Sequence, residues 1–217
     1  MKISRWKKYD ADSGLWISSP KPVYGYWFRF LILAENDPKR VVDWSAYESW
    51  GGKDYILRTT QSDWWKKNWK TLFGYKVGET ERETEPLYPL SNAPSGKTTR
   101  PQPDGIRFAL MVYELRDTPL LNGQVDEVDG VVGDKWEIAK RIAVLEYPRR
   151  REKGKKDPSY KPEDWSFNIA RKSIARELRK SNPTEFSKQR RTIQSRVGRY
   201  MRAAEKHLDN VCVGRFP

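Results

Sequence analysis

The run VYGYWFRFLILA, residues 23 to 34, constrains the fold most, because a stretch this greasy with a single charge, Arg29, has to be buried. Its aromatic and β-branched content, with SPKP before it and ENDP after it, predicts a central β-strand. DYILRTT at 54 to 60, after Gly51 and Gly52, and IRFALMVYEL at 106 to 115, after Asp104 and Gly105, predict two more strands. Together they set the expected fold class as α+β, an aromatic-rich mixed-sheet body.

Between the first and last of these strands lies SDWWKKNWKTLFG, residues 62 to 74, which predicts a helix capped by Ser62 and ended by Gly74. At about 100° per residue, Trp65, Trp69, Leu72 and Phe73 gather on one side as core, and Lys66, Lys67 and Lys70 on another arc. Trp64 falls at the edge of the apolar stripe and is the one tryptophan expected to be exposed for stacking on bases. Residues 77 to 105, dense in Pro, Gly and polar residues, predict a long loop or arm. KWEIAKRIAVLEY, 135 to 147, fits either a helix capped by Asp134 or a strand, and the pattern leaves both open.

Charge is spread unevenly along the 217 residues. The formal net charge is +13, and residues 149 to 217 hold 20 Lys and Arg against 8 Asp and Glu, so nearly all the excess lies in the last third. A basic segment on a near-neutral body is the pattern of a polyanion binder, since each neutralised phosphate releases condensed counterions. The division this predicts is an α+β body over 1–148, a flexible basic linker over 149–162, and a basic helical hairpin with a short tail over 163–217. In the hairpin, Phe167, Ala170, Ile174 and Leu178 make one apolar face. After a short turn, Asn182 as N-cap, Pro183 and Glu185 open a second helix, whose stripe runs through Phe186, Ile193, Val197, Tyr200 or Met201, Ala204 and Leu208.

Three short stretches resemble known sites. YGYWFRF, 24 to 30, is similar to the aromatic strand of an RNA-recognition motif, which would make Tyr24, Tyr26 and Phe28 base-stacking residues, although Trp27 and Arg29 depart from that pattern. SNAPSGKTT resembles the end of a phosphate-binding loop around Lys97 and Thr98, but Ser91 stands where glycine is required and TRPQP follows where a helix should begin. PDGIRFALMVYELR resembles the carboxylate pattern of restriction-type nucleases. That resemblance implies a divalent metal held by Asp104 and Glu114, with Arg116 where the family has lysine; on one strand the two acids would stand too far apart to share an ion. DEVDG, 126 to 130, lacks the ligand ladder of a calcium loop. His207 lies beside Lys206, a poor setting for a general base, and the lone Cys212 allows neither an internal disulfide nor, with one histidine, an all-Cys/His zinc site.

The expected function is therefore non-enzymatic binding of nucleic acid, DNA or RNA, through its phosphates and with little sequence preference, as part of a nucleoprotein assembly. The expected contacts are Arg149, Arg150, Arg151, Lys153, Lys155 and Lys156 on the linker, and Arg171, Lys172, Arg176, Arg179, Lys180, Lys188, Arg190, Arg191, Arg196, Arg199, Arg202 and Lys206 on the hairpin, with Trp64 stacking. No cofactor and no metal is expected. A coat or scaffold subunit with a neutralising arm, and the metal-dependent nuclease, are the alternatives. No run approaches the roughly 18 apolar residues of a membrane span, and MKISRWKKYDADSGLW lacks the apolar stretch of a signal peptide, so a cytoplasmic protein without membrane contact is expected.

Overall fold

Within residues 23 to 34 the buried positions are Val23, Tyr24, Trp27, Phe28, Phe30, Leu31 and Ala34, while Arg29 is exposed and Tyr26 half-buried. That spacing of three and four is helical. Residues Lys21–Glu35 form helix α1. The computed structural model describes residues 8–10, 15–17, 21–75, 103–116 and 134–216. Its helices continue as α2 (Gly52–Arg58), α3 (Gln61–Leu72), α4 (Pro103–Arg116), α5 (Lys135–Lys156), α6 (Lys172–Ser181) and α7 (Pro183–Cys212). Among the described residues, sheet structure is limited to three short antiparallel strands, β1 (Lys8–Asp10), β2 (Leu15–Ile17) and β3 (Gly74–Tyr75), in which Tyr9 pairs with Trp16 and Trp16 with Tyr75.

The α+β body is thus overturned: all three long stretches expected as strands are helices. β-branched and aromatic residues favour strands only weakly, and tertiary burial overrides that preference. In 23 to 34 the length was the better guide, since twelve residues suit a helix while strands usually run to five or six. Pro103 opens α4 from its first position, where a missing N–H costs nothing, and Asp104 follows at the positive end of the helix dipole.

The chain divides into two compact units, residues 1–107 with 205–217, and residues 108–204. The boundaries of these units fall inside α4 and α7. In the first unit, α1, α3 and a 3₁₀ segment, Trp44–Trp50, surround an aromatic core of Tyr24, Trp27, Phe28, Phe30, Tyr47, Trp50, Trp64 and Phe73, to which the chain's end adds Leu208, Val211 and Phe216. Two buried ring polar atoms are satisfied in series: Trp27 Nε1 donates to Tyr47 Oη (3.0 Å), and Tyr47 Oη donates to the Val211 carbonyl (2.6 Å). Arg40 binds Asp37, Glu205 and Asp209, which holds its guanidinium protonated more firmly than usual.

The second unit is built on α5. Trp136, Ile138, Ala139, Ile142 and Ala143 face Phe167, Ile169 and Ala170 of the 3₁₀ segment Ser166–Ala170, Phe186, Ile193 and Val197 of α7, and Phe108 and Val112 of α4. Asp134 caps α5 by accepting from the Trp136 N–H, so the ambiguous stretch 135 to 147 is helix. The helix runs on through Pro148 to Lys156, so most of the expected flexible linker is helical.

Candidate nucleic-acid interface

Asn182 alone separates α6 from α7; its Oδ1 accepts from the Glu185 N–H at 3.0 Å, so it caps α7 as the sequence predicts. On α7 the stripe through Phe186, Ile193 and Val197 is buried, and Tyr200 and Met201 are half-buried. Lys188, Arg191, Arg199 and Arg202 are exposed, and by helix geometry they sit within about 40° of the line opposite the stripe. They follow one another over about 21 Å of axis. From Phe186 to Ala204 there is no acidic residue on this helix. Lys188 reaches Glu185 at 4.0 Å, whereas Arg191, Arg199 and Arg202 have no ion-pair or hydrogen-bond partner among the described residues.

On α6 the half-buried Ile174, Ala175 and Leu178 define the inner side, and Lys172, Arg176, Arg179 and Lys180 are exposed on the other arc, where Glu177 stands apart from them. Each of these two helices therefore carries its fully exposed cations on one outward side. The end of α5 differs. Arg149, Arg151, Lys153, Lys155 and Lys156 are exposed, but helix geometry divides them between two sides, Arg149, Lys153 and Lys156 on one and Arg151 and Lys155 on the other. Lys155 pairs with Glu152 at 2.6 Å, and Lys153 lies 4.2 Å above the Tyr160 ring.

Four expected contacts face inward enough to serve the fold. The Arg150 guanidinium lies 5.0 Å from the Trp165 ring centre and donates to Tyr160 Oη at 2.9 Å. Arg171 stacks 3.5 Å from the Tyr147 ring and donates to Asn168 Oδ1, Arg190 lies 5.4 Å from the Trp136 ring, and Arg196 donates to Ser166 Oγ. Such pairs fix the guanidinium plane against an aromatic face. Lys206 belongs to the part of α7 in the first unit and is exposed there. Lys135 and Lys161 are exposed cations of the second unit that the reading of the basic stretch passed over, the first because its segment was ambiguous.

Trp64 is corrected outright. It is 0% exposed, its Nε1 donates to the Trp50 carbonyl at 3.0 Å, and its ring packs 4.5 Å from that of Trp50, so it cannot stack on a base. The helix also starts two residues earlier than expected: Thr60, not Ser62, is the cap, accepting from the Asp63 N–H, while Trp64, at the edge of the stripe, is covered by the rings of Phe28, Trp50 and Phe73. Tyr24 and Phe28 are buried in α1 and Tyr26 is half-buried, which removes the RNA-recognition strand. Asp104 and Glu114 stand ten residues apart on α4, about 15 Å along a helix axis, so they cannot share a metal ion. Among the described residues no three His, Cys, Asp or Glu side chains gather as a metal site. Lys97, Thr98 and the 126 to 130 loop lie outside the described residues.

His207 sits between the rings of Phe30 and Phe216, each at 5.2 Å, and burial lowers its pKa to about 4, with Lys206 adding to the effect. Burial likewise raises the Cys212 thiol. Neither group is poised for nucleophilic chemistry. No described helix is long and apolar enough to cross a membrane. Comparison with known protein families, with curated proteins and with solved structures returned no match.

Proposed function

We propose that the protein is a non-enzymatic nucleic-acid-binding protein that grips the phosphate backbone through the outward arcs of α6 and α7, with little sequence preference, as a cytoplasmic subunit of a nucleoprotein assembly. The observation that carries this reading is the acid-free stretch of α7, whose Lys188, Arg191, Arg199 and Arg202 stand exposed opposite the buried stripe. Cations aligned on one side of a rigid helix can meet successive phosphates without ordering the backbone on binding, so that the entropic cost is confined to their side chains. Contacts to phosphate orient the protein on the polymer and carry no sequence information directly.

Affinity for a duplex measured against salt concentration tests the reading. With about six to eight phosphates neutralised, log affinity falls against log salt with a slope of roughly −5 to −7. A slope near zero would reject it. Cutting the chain after Tyr147 is not a usable test, because the core of the second unit needs Phe167, Phe186, Ile193 and Val197, and that of the first needs Leu208, Val211 and Phe216. Surface substitutions are the appropriate variants.

A further inference from the structure

In the exposed row of α7 one member is uncharged. Ser195 lies four residues after Arg191 and four before Arg199, so each arginine is about 6 Å away along the axis and about 40° to either side. Lys188 and Arg202, seven residues away in each direction, lie about 20° from the same line. Ser195 is exposed. Two other hydroxyls on this helix, Ser187 Oγ and Thr192 Oγ1, donate to the carbonyl four residues back, at 2.9 and 3.1 Å. Ser195 makes no such bond and has no partner among the described residues, so its donor remains available.

We propose that Ser195, bracketed by Arg191 and Arg199, seats one phosphodiester group of the nucleic-acid backbone; this rests on the function proposed above and names the central contact of that surface. A serine between two long side chains leaves a notch in which an anion reaches the helix surface. Helical side chains lean towards the N-terminus, which brings Arg199 over the notch, and Arg191 is long enough to close it from the preceding turn. The Ser195 hydroxyl then donates to one non-bridging oxygen while the guanidinium forks donate to the other, the charge-assisted geometry that arginine provides and lysine does not. Lys188 and Arg202 supply field at each end of the notch.

The test uses the full chain and a fluorescein-labelled duplex DNA of mixed sequence, read by anisotropy across a salt series. Ser195→Leu fills the notch at constant charge and with better helix propensity than serine, so folding, checked by circular dichroism, is retained. We expect it to weaken binding about tenfold and to bring the salt slope about one unit nearer zero, the signature of one lost phosphate. Ser195→Ala, which removes only the hydroxyl, is expected to cost about threefold. Ser187→Leu, on the same helix but outside the bracket, is expected to leave affinity unchanged. If wild type binds and Lys188→Gln with Arg202→Gln weakens it while Ser195→Leu does not, the notch is overturned and the wider reading stands. An equal loss from Ser187→Leu and Ser195→Leu overturns the notch as well. If wild type shows no salt-dependent binding, the function reading fails and the notch with it.

Discussion

At the scale of single residues, Tyr47 is the junction most sensitive to change. Its hydroxyl accepts from Trp27 and donates to the Val211 carbonyl, so Tyr47→Phe removes two buried bonds, and the Val211 carbonyl keeps the longer one from the Gly214 N–H at 3.3 Å. We expect a loss of about 1 to 3 kcal/mol in urea unfolding, the cost of losing two buried hydrogen bonds. Gly51 is held at φ 106°, and a Cβ there would lie 2.3 Å from Tyr55 Cδ1, so Gly51→Ala should cost at least about 2 kcal/mol in the same assay. His207 gives a pH signature. Its folded pKa, about 4, lies below the unfolded value near 6.5, so the unfolded state binds the extra proton. The contribution is complete above about pH 6.5, declines as pH falls towards 4, and levels off below; it amounts to about 2 to 3 kcal/mol. His207→Phe should remove most of this slope between pH 4 and 6.5, and an unchanged slope would show that other groups produce it.

At the scale of elements, α7 combines good order with one weak point. Gly198 is buried within it, yet an added Cβ would meet only Lys135 Cε at 3.5 Å, Lys135 Nζ at 3.6 Å and Arg202 Nη1 at 3.8 Å, all at ends of flexible side chains. Gly198→Ala should therefore raise stability by about 0.5 to 1 kcal/mol, measured as a higher melting temperature, because glycine inside a helix costs about that much. The one-sided arc of α7 and the two-sided cations ending α5 also make different predictions for binding. Glutamine at Lys188, Arg191, Arg199 and Arg202 together should weaken duplex binding about a hundredfold at low salt, whereas glutamine at Arg149, Arg151, Lys153 and Lys156 should cost less than about tenfold. Equal losses would mean that total charge, rather than its arrangement on α7, sets the affinity.

At the scale of the whole molecule, the first unit depends on residues from both ends of the sequence. Residues 205–217 belong with 1–107: Asp43 N donates to the Cys212 carbonyl at 2.8 Å, and Phe216 packs on Trp27 at 5.6 Å. Deleting the residues after Ala204 should thus unfold the aromatic core more than a hundred residues upstream, seen as loss of the near-ultraviolet tryptophan signal. Retention of that signal would show that residues up to 107 hold the core unaided. The basic surface is built separately, almost wholly from residues 108–204.

Charge pattern and helix periodicity were legible in the residues themselves. Asn182 capping the terminal helix, the Phe186, Ile193, Val197 stripe and the cations opposite it follow from local spacing, and the structure places them as spacing requires. Trp65 and Trp69 are likewise buried as the turn of their helix dictates. Whether VYGYWFRFLILA became strand or helix was not fixed locally, since its aromatic residues suit either, and the decision came from the core that α1, α3 and the chain's end build together. The same holds for Trp64, covered by the rings of Phe28, Trp50 and Phe73, and for Arg150, Arg171 and Arg190, drawn onto aromatic rings well separated from them in the sequence. Local sequence sets which side of a helix is apolar; only packing decides what that side meets, and therefore which charges are left facing water.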